Sequence, residues 1–129
     1  MNLGIYRQIL RAAYERRFVC HCSAVIVTEV FRAFARPRVQ RRYAIDPIEI
    51  EQLRHFLESP WVSIPITVDV HGVSTHPEDD LIPATAVSAR ADYLVTGDRQ
   101  LQALGSYRGV AIVSPRQVLT ILLATPGGA

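Results

Sequence analysis

The stretch from His76 to Leu104, HPEDDLIPATAVSARADYLVTGDRQLQAL, constrains this chain more than any other: an acidic pair opens an alanine-rich helix, and a third acid directly follows a short apolar strand. Asp79 and Asp80 precede Leu81, Ile82, Ala84, Ala86 and Val87, so either carboxylate can cap the helix and sit near its positive end. Pro83 has no N–H to donate and is comfortable only in a first turn, which predicts a helix start near Asp79 or Asp80. Tyr93 to Thr96 then reads as a short buried strand closed by Gly97 and Asp98. A strand reached from a helix through so short a link is expected to be parallel to its neighbours, and sites in such sheets lie beyond the carboxyl ends of the strands. Asp98 therefore falls at the expected functional edge, and carboxylates gathered there point to a bound cation.

Upstream, Leu3 to Arg16 carries Ile5, Ile9, Leu10 and Ala13 at helical spacing, Phe18 to Cys22 reads as a strand, and Ser23 is placed to cap a helix running to about Ala35. Val27, Val30, Phe31 and Phe34 form that helix's core stripe, which leaves Glu29 either facing solvent or held for a purpose. Asp46-Pro47-Ile48-Glu49 is a helix start with an Asp cap, Pro at the first position and Glu spaced for a capping box, the helix running to about Glu58. Trp61 to Val70 reads as strand, with Pro65 arguing for an edge or a break. Ser114-Pro115 repeats the cap-plus-Pro device before a last helix over Arg116 to Leu123. This alternation predicts an α/β fold with a parallel sheet covered on both sides.

At 129 residues and 49% hydrophobic content the chain can bury one sizeable core, so one domain over residues 1–129 is expected. No apolar run reaches the length of a membrane span, and Arg7, Arg11, Arg16 and Arg17 interrupt any apolar signal-peptide core, so a cytoplasmic protein is expected. Cys20 and Cys22 flank His21 on a strand whose alternation puts both thiols on one face. Without a second Cys pair, and too close along a strand for a good disulfide, they read as reduced core thiols; a metal role for Cys20, His21 and Cys22 is the minor alternative.

All 14 basic residues are arginine, yet the net charge is only +2, so Arg32, Arg36, Arg38, Arg41 and Arg42 make a local cluster rather than a strongly basic protein. The planar guanidinium suits phosphate, and the cluster could guide an RNA backbone; a solvated helix face or a site for an acidic partner is the equal alternative.

The acid before x-Leu-Ile-x-Ala-Thr-Ala, followed by Asp-Tyr-Leu-Val-Thr-Gly-Asp-Arg-x-Leu, resembles the C-terminal half of PIN-domain proteins, especially the toxin components of bacterial toxin–antitoxin pairs. SAVIVTEVFRAFARPRVQRRY, from Ser23 to Tyr43, is similar to the segment in that group where a serine ends a strand, a helix carries an acid, and an Ala-Arg-Pro turn leads to a basic patch. The closing GVAIVSPRQVLTIL is similar to the group's last strand and helix. The resemblance implies a PIN-like three-layer fold with a mostly parallel central sheet between helices. It also implies Mg²⁺- or Mn²⁺-dependent hydrolysis of RNA, an antitoxin protein as partner, and a homodimer.

Carried over residue by residue, Glu29 matches the helix acid, Asp79 the acid before the alanine-rich helix, and Asp98 the acid after Thr-Gly. Ser23, Asp80 and Thr96 are placed to support them, while His76 stands where related sequences often carry an acid. The family's opening strand, ending in Asp, has no counterpart: the chain begins Met1-Asn2-Leu3 and has no Asp before Asp46. A sheet without its first strand is expected to expose apolar surface, and a cluster short of one acid is expected to hold Mg²⁺ weakly, because that ion is anchored by one or two direct carboxylates plus waters. The alternative to an enzyme is a non-catalytic PIN-like module that binds RNA or an antitoxin.

Overall fold

A computed structural model describes residues 3–124; Met1 and Asn2, on which the expectation about an opening strand falls, lie outside the described residues. Helix α1 spans Leu3–Tyr14, α2 Ala24–Phe34, α3 Pro37–Arg42 and α4 Pro47–Leu57. A 3₁₀ turn over Pro77–Asp80 leads into α5, Leu81–Ser88. Strand β1 is Tyr93–Val95, α6 Arg99–Gln102, β2 Ser106–Tyr107, β3 Val110–Val113 and α7 Pro115–Ala124.

The helix ends follow from local chemistry. Asp46 accepts the Ile48 N–H at 2.8 Å, so α4 starts where the Asp-Pro pair placed it. The expected capping box does not form, because Glu49 turns instead to Arg7 of α1, 2.7 Å away. A capping box does form at α7: the Gln117 N–H donates to Ser114 Oγ at 3.1 Å, and the Ser114 N–H donates back to Gln117 Oε1 at 2.7 Å. Two helices end in Schellman motifs with arginine in the left-handed position that glycine usually fills. At the end of α1, Arg16 has φ 56° and the Arg17 N–H reaches back to the Ala12 carbonyl at 2.9 Å; at the end of α5, Arg90 has φ 53° and the Ala91 N–H reaches the Ala86 carbonyl at 3.0 Å.

The sheet is small and mixed rather than mostly parallel. Its order is β1-β3-β2, with β1 parallel to β3 (Tyr93 beside Ala111, Val95 beside Val113) and β2 antiparallel to β3. The hairpin from β2 to β3 turns on Arg108 and Gly109, both at positive φ (47° and 85°), the backbone sign that matches the strands' own twist. Phe18 to Cys22 and Trp61 to Val70 are not strands. All that survives of their expected pairing is one parallel bridge, in which the Cys22 N–H donates to the Val62 carbonyl and the Ile64 N–H to the Cys22 carbonyl. A ladder one residue long, flanked by Pro60 and Pro65, has too few hydrogen bonds to propagate.

Buried residues fall into two groups. Cys22, Val27, Leu53, Leu57 and Val62 form one core cluster, joined by Ile26, Val30, Phe31 and Phe34 from α2. Ala84, Ala86, Leu101, Val110, Ile112, Val118 and Leu122 are buried in the second half of the chain. Helix α1 packs on α7, the Arg17 guanidinium donates to the Leu122 carbonyl at 2.9 Å, and α2 meets α5, so these contacts join the halves. No helix of the described residues is long and apolar enough to cross a membrane.

A candidate acidic edge

Three segments deliver the acids: α2, the 3₁₀ turn before α5, and the turn after β1. Beyond the Cys22 bridge, Ser23 takes the cap position of α2 in extended conformation, but its side chain makes no cap hydrogen bond. It is 2% exposed, and its hydroxyl meets that of Thr85 at 2.8 Å. Thr85 gives its own proton to the Leu81 carbonyl at 2.7 Å, so Ser23 is the donor between them. Ser23 thus ties the start of α2 to the second turn of α5 rather than facing an open site.

Glu29 stands one helical turn and a half further on, exposed, and pairs with Arg32 at 2.7 Å. The acid and one of the five cluster arginines therefore engage each other. Arg36 precedes α3, which carries Arg38, Arg41 and Arg42; all are exposed, and Arg42 lies 5.6 Å from the Tyr43 ring centre. Helix α3 replaces the expected turn: Pro37 at its first position starts a helical turn where the sequence pattern suggested a bend.

Asp79 lies half-buried in the 3₁₀ turn, and Asp80 is 5% exposed. Asp80 makes no cap bond to α5. Its carboxylate turns back to the preceding loop and accepts three backbone N–H groups, from Ser74 at 2.7 Å and from Val73 and Gly72 at 3.1 Å each. The Ser74 N–H first, then Gly72 and Val73, hold this carboxyl below its ordinary range against the opposing effect of burial. Gly72 has φ 71°, which a loop curling around one carboxylate requires.

Asp98 is exposed and caps α6, accepting the Gln100 N–H at 2.8 Å and the Leu101 N–H at 3.3 Å, both on Oδ1. Thr96 Oγ1 accepts the Asp98 N–H at 3.1 Å and so sets the turn that presents the acid. Thr75 donates to Gln100 Oε1 at 2.6 Å, linking the loop held by Asp80 to the helix capped by Asp98. The Asp79 and Asp98 elements are thereby neighbours. On the other side of Gly97, a Cβ would sit 3.4 Å from the Tyr6 hydroxyl of α1, which brings α1 to the same edge. Thr75, Gln100 and Tyr6 were not singled out by sequence; each acts through a contact distant along the chain, and the turn residues of His71-Gly72-Val73-Ser74-Thr75 were the one available signal.

Among the described residues no three His, Cys, Asp or Glu side chains stand close enough to hold one metal ion. Glu29, Asp79 and Asp98 as they stand do not frame a cation, and Glu29 is occupied by Arg32. Nor do Cys20, His21 and Cys22: both thiols are free, Cys22 packs in the core and Cys20 against it. Burial, with Cys20 nearby, pushes the Cys22 thiol up to about 11, which is the protonated behaviour of a core cysteine.

Fold and edge together describe an α/β protein in which the loop held by Asp80 and the helix capped by Asp98 are linked by the Thr75–Gln100 hydrogen bond. A family model described as PIN domain matches residues 4–100, and the chain belongs to the PIN-domain family. That span contains all three acids, the arginine cluster and the supporting hydroxyls. No curated protein and no solved structure matches the chain.

Proposed function

We propose that this chain is a ribonuclease-type PIN domain, the toxin component of a toxin–antitoxin pair, with Glu29, Asp79 and Asp98 as its acid set, and that in this arrangement it holds RNA more readily than it cleaves it. The observation that carries the reading is the family match, whose span of residues 4–100 includes all three acids. The Thr75–Gln100 link, which makes the Asp79 and Asp98 elements neighbours, supports it. Ser23, Asp80 and Thr96 support through the backbone, by placing α2, the 71–76 loop and the Asp98 turn.

PIN domains are generally nucleases that use a divalent metal, and Mg²⁺ or Mn²⁺ is the ion this reading calls for. In this chain the requirement is a family trait rather than a property of the acids as they stand, which do not converge. The second reading, a non-catalytic module that binds RNA or an antitoxin, is favoured by that separation and by the exposed arginines of α3. Reduced, buried cysteines suit a cytoplasmic location, and self-association belongs to the same proposal.

Incubating the purified chain with single-stranded RNA, with Mn²⁺ or with EDTA, tests it. The expected result is salt-sensitive RNA binding with slow cleavage or none. Efficient EDTA-sensitive cleavage that disappears in Asp98→Asn would overturn the statement that this arrangement is poorly active, and absence of both binding and cleavage would overturn the nucleic-acid reading altogether.

A further inference from the structure

Trp61 is the one tryptophan of the chain, and it is 71% exposed. Its backbone is pinned on both sides. Pro60 fixes the entry, the Val62 and Ser63 N–H groups both donate to the Ser59 carbonyl, and the Val62 carbonyl accepts the Cys22 N–H. Val62 goes into the core at 2% exposure, so the turn holds the neighbouring indole out in solvent. Beside it lies a cleft of about 330 Å³, lined by Tyr14, Gln52, His55, Phe56 and Ser59 as well as Trp61. Tyr14 is 47% exposed, and its ring is set edge-on against Phe56 with centres 4.7 Å apart. Gln52 and His55 also line an adjoining hollow that reaches Pro47 and Ile48, so the two make one trough along α4.

We infer that this cleft takes an unpaired base of single-stranded RNA, stacked on Trp61 and bordered by Tyr14 and His55, while the neighbouring phosphates lie on arginines. The inference rests on the nucleic-acid reading above and adds a base-binding site to it. The make-up of the trough selects a base over an apolar helix of another protein. Its walls carry flat rings, on which any base stacks. Gln52 makes no side-chain hydrogen bond among the described residues, so its amide is open to the edge of a base, whereas an aliphatic helix would bury it unpaired. Arginine stands near each hollow. Arg11 is exposed, lies three residues before Tyr14 on the same face of α1, and pairs with no acid among the described residues. Arg42 is five residues from Pro47, so at most about 18 Å of chain separates the α3 cluster from the trough. The trough's own acid, Glu51, is 3.5 Å from Arg54, and Glu49 is held by Arg7. Phosphates on arginine with a base on an aromatic ring is how single strands are held without sequence preference.

Trp61 reports on its own site, because no other tryptophan contributes to the emission. In EDTA, a labelled single-stranded RNA of about 8 nucleotides, within the range such grooves cover, should quench that emission as it binds. An abasic strand of the same length, with the same phosphates, should bind more weakly and leave the emission unchanged. Trp61→Ala should weaken RNA binding about 5- to 150-fold, the effect of one stacked base, and by the same factor at every salt concentration. Its melting curve should match the parent's, since the indole lies outside the core. Trp61→Phe keeps a stacking face and should recover part of the loss. RNA that binds, by the anisotropy of its label, with no change in Trp61 emission and no loss in Trp61→Ala would overturn the inference and leave the nucleic-acid reading standing. So would equal quenching by the abasic strand. An emission shift produced by a leucine-rich helical peptide and not by bound RNA would make the trough a protein-docking groove and sink the inference as well. RNA that does not bind at all would overturn both.

Discussion

The hydroxyls of Ser23 and Thr85 meet 2.8 Å apart in the interior, 62 residues apart in sequence, a buried polar bond that helps join the first half of the molecule to the second. Thr85→Val leaves the Ser23 hydroxyl buried without this bond, at a cost of about 1–3 kcal/mol, whereas in Ser23→Ala Thr85 keeps its bond to the Leu81 carbonyl. Both variants are expected to lower stability in urea melts, Thr85→Val by the larger amount. The double variant should cost clearly less than the sum, because no orphaned hydroxyl remains between them. Strict additivity would show that the two hydroxyls do not act together.

Asp80 makes folding stability depend on pH. Its carboxyl is held below its ordinary value by the Ser74 N–H and then by Gly72 and Val73, so its contribution is present above the unfolded-state carboxylate pKa and is lost as pH falls through the lower folded value. The melting temperature should fall on acidification in that window. Asp80→Asn turns an acceptor into a donor facing three N–H groups; it should melt lower at neutral pH and show a flatter acid limb. An acid limb unchanged by the substitution would remove Asp80 as its source.

Asp98 separates capping from charge. Asparagine caps as well as aspartate, so Asp98→Asn should leave stability in EDTA nearly unchanged, while Asp98→Ala should lose about 1 kcal/mol. A metal role is read from a different comparison: if Mn²⁺ raises the melting temperature of the parent and not that of Asp98→Asn, the acid takes part in binding the ion.

Arginine is strained where glycine would not be. At Arg16 the left-handed backbone costs an L-residue roughly 1–2 kcal/mol, and glycine's greater unfolded-state freedom returns about half of that. Arg16→Gly should therefore stabilise by about 0.5–1 kcal/mol, measured by chemical denaturation. A loss of stability would show that its side chain makes contacts worth more than the strain.

In the proposed reading the α3 arginines contact the RNA backbone. If Arg38, Arg41 and Arg42 contact phosphates, the triple alanine variant should bind RNA more weakly, and the slope of log K against log salt should shrink by about 0.7 for each single-strand phosphate that is no longer neutralised. Arg32, already paired to Glu29, should matter less. An unchanged salt slope would remove α3 from the interface.

Short-range chemistry was legible in the sequence, and long-range pairing was not. Asp46-Pro47, Ser114-Pro115 and the strand and cap from Tyr93 to Asp98 appear where their local patterns placed them, because a cap needs only the next three residues. Phe18 to Cys22 failed as a strand because its apolar alternation promises a pair of neighbours and the structure provides a single bridge to Ser63. Glu49 chose Arg7 over its own helix, and Ser23 chose Thr85 over α2; in both, a partner far along the chain outcompeted the local one. The acids were assigned by their family pattern, but their mutual distance depends on how the elements pack, which no motif encodes.

Glu29 rides on α2, whose apolar stripe belongs to the core cluster of Cys22, Leu53 and Val62, while Asp79 lies in the turn that leads into α5 and Asp98 caps α6. The Ser23–Thr85 bond, which fixes the start of α2 against α5, therefore acts as a set-screw on the acidic edge: the docking of one helix on another decides where Glu29 stands relative to the elements that carry the other two acids.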